Sequence, residues 1–163
     1  MNPQDVANTL NALCKLEAAA VAVTPPGWAD MAQAAGRTAR EMDPQAIANT
    51  LNALTKLEAA AAAVSSPGWA GLAEAAERTA REMKPQEVSN TLDALTKLEA
   101  AEAAVMPSGW AGLAETVQRT AREMDPQNVA NTLNALTKLD ETGLLLTSTR
   151  CPVETHLTAT TSV

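Results

Sequence analysis

The sequence predicts an all-α protein, a right-handed α-solenoid of about three and a half 41-residue helix-turn-helix repeats. Three observations carry that expectation. Trp28, Trp69 and Trp110 recur at 41-residue intervals, as do Met42, Met83 and Met124, and a fixed period of this size marks an array of units that bury their apolar faces against their neighbours. The strings PQDVANTLNALCKLEAAAVAV, PQAIANTLNALTKLEAAAAAV, PQEVSNTLDALTKLEAAEAAV and PQNVANTLNALTKLD are four copies of one helical segment. Apolar residues make up 46% of the chain, but alanine is their largest part and there is no Phe or Tyr. Side chains this thin suit closely packed helices better than a thick globular core.

The elements follow in order. Repeats are expected at 2–42, 43–83 and 84–124, then a half repeat at 125–141 consisting of a first helix alone. Asn2-Pro3, Asp43-Pro44 and Asp125-Pro126 each set a capping acceptor before a proline at the first helical position, where its missing N–H is no loss. Lys84-Pro85 is a poorer start. At ~100° per residue, Ile47, Thr50, Leu51, Leu54, Leu57, Ala61 and Val64 fall on one side of the first helix, which is therefore core. The second helix opens at TPPGW, SSPGW and PSGW with a hydroxyl cap, proline or glycine, and carries the stripe Trp69, Leu72, Ala73, Ala76, Ala80 and Met83. Seven helices result. The tryptophans fit inter-repeat core better than base stacking. Opposite them lie Arg78 and Arg81, echoed by Arg37, Arg40, Arg119 and Arg122, with Glu74 and Glu77 four residues ahead in the order that favours surface ion pairs. Residues 142–163 are threonine-rich and without period, and are expected to be irregular or disordered.

Composition excludes several classes. A formal net charge of −7 is unlike that of a strongly basic nucleic-acid binder, though it leaves room for a local basic strip. Two cysteines, Cys14 and Cys151, make no disulfide framework, and His156 is the only histidine. Neither a metal cluster nor a histidine-activated nucleophile is available, so the chain is expected to be no enzyme and to need no cofactor. It has no apolar run of membrane-spanning length and no signal-peptide pattern, so no membrane partner and no targeting segment are expected. Repeat ends without polar caps suggest a piece of a longer array, prone to self-association.

What packing does not explain is a polar ridge. Gln45, Asn49, Asn52 and Lys56 are spaced 4, 3 and 4 on the first helix, roughly opposite its leucines. The ridge recurs as Gln4, Asn8, Asn11 and Lys15, as Gln86, Asn90, Asp93 and Lys97, and as Gln127, Asn131, Asn134 and Lys138. Stacked repeats would align these ridges into a strip of amides with one cation per unit, suited to single-stranded RNA lying along a concave face. The same residues could instead be a solvated face, or an asparagine ladder bonding adjacent turns and repeats. A third use for such a ladder is to hold an extended peptide backbone.

The segments PQDVANTL.AL.KLE and the turns PPGW and SSPGW resemble the octotricopeptide repeats of algal organelle factors. FAST-kinase-like and RAP-associated repeats are similar in the ANTL.AL.KL segment. The resemblance spans residues 2 to 139 and implies binding of organellar RNA, in chloroplast or mitochondrion, to control its stability, processing or translation through Gln45, Asn49, Asn52, Lys56 and their copies. The same segment also resembles the SKWP repeats of bacterial effectors, which implies a protein- or peptide-binding scaffold.

Overall fold

The computed structural model describes residues 2–16 and 22–141. Nine α-helices lie among them, with no strand: α1 (Pro3–Lys15), α2 (Pro25–Thr38), α3 (Pro44–Leu54), α4 (Glu58–Ala63), α5 (Ser66–Thr79), α6 (Pro85–Leu95), α7 (Glu99–Glu102), α8 (Pro107–Thr120) and α9 (Pro126–Glu141). A 3-10 turn of sequence Ala-Arg-Glu closes α2, α5 and α8 at residues 39–41, 80–82 and 121–123. Helices pack on their neighbours in series: α1 on α3, α3 on α6 and α6 on α9 in one row, α2 on α5 and α5 on α8 in the other. The expected tail at 142–163 lies outside the described residues.

The helix starts follow the capping rules closely. The Asn2 side chain accepts from the Asp5 amide at 2.8 Å, Asp43 from Ala46 at 2.7 Å, and Asp125 from Asn128 at 2.7 Å. Lys84 offers no such acceptor; there the Glu87 carboxylate reaches back to the Lys84 amide at 2.8 Å, which is half of a capping box. Thr24 and Ser65 cap α2 and α5 through the Gly27 and Gly68 amides. The third copy has Met106 where those hydroxyls stand, so the expected hydroxyl cap fails. Its amide donates instead to Glu77 Oε1 of α5, at 2.8 Å.

The expected core is present except at Ala61, which is half-buried and packs against its edge. Ile47, Thr50, Leu51, Leu54, Leu57 and Val64 are buried, and so are Trp28, Trp69 and Trp110 with Leu72, Ala73, Ala76, Ala80 and Met83. Two expectations need correction. Among the described residues nine helices stand where seven were expected, because the first helix of a unit stops at Leu54 or Leu95 and resumes as α4 or α7. Leu57 and Leu98 leave the helical region at φ −112, ψ 74 and φ −109, ψ 88, and Thr55 and Thr96 turn their hydroxyls onto carbonyls only three residues back. The bend carries α4 across α2 and α7 across α5, seating Ala60 and Ala101 in the core.

The second correction concerns the arginines. Among the described residues neither Glu74–Arg78 nor Glu77–Arg81 forms an ion pair. Arg78 instead donates to the Met42 carbonyl at 2.8 Å, and Arg119 to the Met83 and Arg81 carbonyls at 3.0 Å each. Both tie a second helix to the end of the preceding one, where carbonyls freed by the 3-10 turn need donors. Glu74 approaches Arg40 of the previous unit at 4.0 Å on an exposed surface, a pair of little energetic weight.

Between α2 and α5 the backbones approach closely. A Cβ built on Gly36 would stand 2.9 Å from Gly68 Cα, and backbone cannot yield as a side-chain tip can. Gly36→Ala should therefore destabilise the fold by roughly 1–3 kcal/mol despite a helix-propensity gain of about 1 kcal/mol. Thermal unfolding checks the sign: a higher midpoint for the alanine variant would contradict the close approach.

Candidate RNA-facing surface

The four polar ridges run along the first helices α1, α3, α6 and α9, which lie side by side in that order. Contrary to expectation, Lys56 and Lys97 stand beyond the helix ends at Leu54 and Leu95, in the turn before the bend, whereas Lys15 and Lys138 are helical. In α3 and α6 opposed flanks are buried against a neighbour on each side, and in α1 and α9 one flank is buried in this way; the ridge lies beside them. All sixteen ridge residues are exposed or half-buried: Gln4, Asn8, Asn11 and Lys15; Gln45, Asn49, Asn52 and Lys56; Gln86, Asn90, Asp93 and Lys97; Gln127, Asn131, Asn134 and Lys138. None donates to or accepts from another repeat through its side chain, among the described residues. An inter-repeat asparagine ladder is therefore not formed.

Local pairing differs between copies. In α1 the Gln4 amide donates to Asn8 Oδ1 at 3.0 Å, and in α9 Gln127 donates to Asn131 Oδ1 at 2.9 Å. The other amides of the strip make no side-chain hydrogen bond among the described residues, so each keeps donor and acceptor capacity for a ligand. The third copy departs from the rest. Asp93 stands where Asn11, Asn52 and Asn134 stand, and its carboxylate holds the Lys97 ammonium at 2.6 Å. The Asp-to-Lys spacing of four is the order that favours such a pair, although here it spans the helix end, since α6 stops at Leu95. Lys15, Lys56 and Lys138 have no ion pair among the described residues, which leaves three cations open along the strip.

The surroundings are mixed in character. Cys14 occupies the position of Thr55, Thr96 and Thr137, and its thiol contacts the Ala53 carbonyl at 3.5 Å. Burial pushes the thiol pKa up, offset in part by the nearby Lys56 charge. Beside Lys97 a groove of about 550 Å³ opens between α4 and the bend at Leu98, walled by Val64, Trp69 and Leu98 with Ser66 and Glu99 at its rim. Among the described residues no group of His, Cys, Asp and Glu could hold a metal, and no helix is long and apolar enough to cross a membrane.

The family model of DUF1601, proteins of unknown function, matches residues 1–10, 21–51, 71–92 and 112–133, just over half of the chain. The chain belongs to this family. No curated protein and no solved structure matches it. Each matched DUF1601 segment ends one residue before the third member of a ridge, at Asn11, Asn52, Asp93 and Asn134. The family match thus takes in the glutamine and first asparagine of every ridge and stops short of the lysine.

Proposed function

We propose that the chain is a non-enzymatic right-handed α-solenoid of about three and a half 41-residue repeats that binds single-stranded RNA along its first helices. One observation carries this reading: the polar ridge stays accessible in all four copies while the flanks that meet a neighbouring first helix are buried, and three of its four lysines are unpaired among the described residues. Amides spaced by helical turns can meet base edges, and a cation per unit can meet phosphate. The net charge of −7 makes the binding weak and confines it to low salt. An organellar role in RNA stability, processing or translation follows from the likeness to octotricopeptide repeats.

The salt dependence of binding tests the reading. Three unpaired lysines at ~0.7 per phosphate contact give a slope of log K against log salt near −2, where four would give about −3. Lys56→Gln should flatten the slope by roughly 0.7, and Asp93→Asn, which frees Lys97, should steepen it by about the same amount. Arg81→Gln with Arg122→Gln is the control; Arg78 is unsuitable because it holds the Met42 carbonyl. RNA affinity that ignores the lysines but collapses with Arg81 and Arg122 would move the interface to the second helices. No binding of a single-stranded RNA pool at low salt would leave the strip to a protein or extended peptide.

A further inference from the structure

Each first helix uses two flanks, and the burial pattern assigns them. Val6 and Leu10 of α1 are buried against α3, Ile47 and Leu51 of α3 against α6, and Val88 and Leu92 of α6 against α9. The hydrogen bonds Cys14 Sγ to the Ala53 carbonyl and Ser89 Oγ to the Asn128 carbonyl fix the same direction. On the receiving side, Thr50 and Ala53 of α3, Thr91 and Ala94 of α6, and Thr132 and Ala135 of α9 are buried. The same interface is thus made three times, each copy donating one flank and receiving on the other.

Among the described residues two flanks of this kind stand open. On α9, Val129 is 39% and Leu133 59% exposed, whereas Leu10, Leu51 and Leu92 are at 0–1%. On α1, Ala12 is exposed and Leu16 is 58% exposed, whereas Ala53, Ala94 and Ala135 are at 0–1%. We propose that these flanks fit each other between copies: α9 of one chain seats α1 of a second chain as α1 seats α3 within one. The receiving surface is the same in chemistry, since Thr9, Ala12 and Leu16 repeat Thr50, Ala53 and Leu57. Asp5 is no obstacle, because Glu87 already occupies its position in the α3·α6 contact. The contact is heterologous and leaves an unused flank at each end, so it builds open chains of copies instead of closed dimers. With one helix pair per contact, association is weak and concentration-dependent.

Sedimentation of the 163-residue chain without RNA tests the proposal. The weight-average mass should climb past twice 17.0 kDa with rising concentration. Leu133→Lys removes the α9 flank and Ala12→Arg the α1 flank; both positions are exposed, so helical circular dichroism should be unchanged. Each variant alone should sediment as a monomer, and an equimolar mixture should form a one-to-one dimer and nothing larger, because each supplies the flank the other lacks. A single variant that still dimerises would mean a self-complementary contact and overturn the head-to-tail arrangement. A parent chain that stays monomeric up to its solubility limit would overturn the association itself.

Discussion

Trp69→Ala is expected to remove roughly 3–5 kcal/mol of stability, the largest loss of any single truncation in the chain. Its helix α5 packs on α2, α3, α7 and α8, so the indole lies where both rows of helices and both neighbouring units meet. A domain of ordinary stability has about 5–15 kcal/mol in hand, and an array held by nearest-neighbour contacts cannot redistribute the loss. Urea titration followed by circular dichroism should show the midpoint falling and the transition broadening as the two halves uncouple. Trp28→Ala, on a helix that among the described residues packs chiefly on α1, α4 and α5, should cost less. Equal losses at the two positions would argue that the array unfolds as a single block.

Thr50→Val and Thr91→Val should act in the opposite direction, each raising stability by roughly 1–3 kcal/mol. Both hydroxyls are buried between first helices with no hydrogen-bond partner among the described residues. Other helical threonines avoid this: Thr79 and Thr120 donate to carbonyls four residues back at 2.8 Å, as does Thr38 at 2.9 Å. Valine keeps the branched shape and removes the unpaired oxygen. A urea midpoint that rises with unchanged slope is the expected result, and Thr79→Val, which deletes a made bond, should fall. If Thr50→Val is destabilising, the hydroxyl is satisfied by water held between the helices.

Most of the architecture could be read from the sequence because capping, period and apolar stripe all agreed, as they did at Asp43-Pro44 and along Trp69 to Met83. The bend after Leu54 could not be read, and the reason is specific. The hexapeptide Asn-Ala-Leu-Thr-Lys-Leu occurs at 52–57 and again at 134–139. It breaks at Leu57 but runs unbroken through Leu139 in α9, where Thr137 donates four residues back to Leu133. Identical residues take two conformations, so local propensity cannot decide; the alanine-rich continuation that docks Ala60 on α2 does. Of the candidate strip, the accessible positions were legible from helical spacing. The roles of Arg78 and Arg119 were not, because an i, i+4 rule sees one helix, and these side chains serve the carbonyls of another.

The cap on α8 has a consequence for how freely the units can be rearranged. Glu77 lies over Gly109 and accepts from the Met106 amide, so the third unit borrows its helix start from the second. The first unit has Gly36 at that position, and Gly36 faces Gly68 beneath a start already served by Ser65. Excising residues 43–83 would set Gly36 opposite Gly109 and leave the Met106 amide with neither a hydroxyl nor a carboxylate. The units look like interchangeable beads, yet at this joint their order is fixed: the second must come before the third.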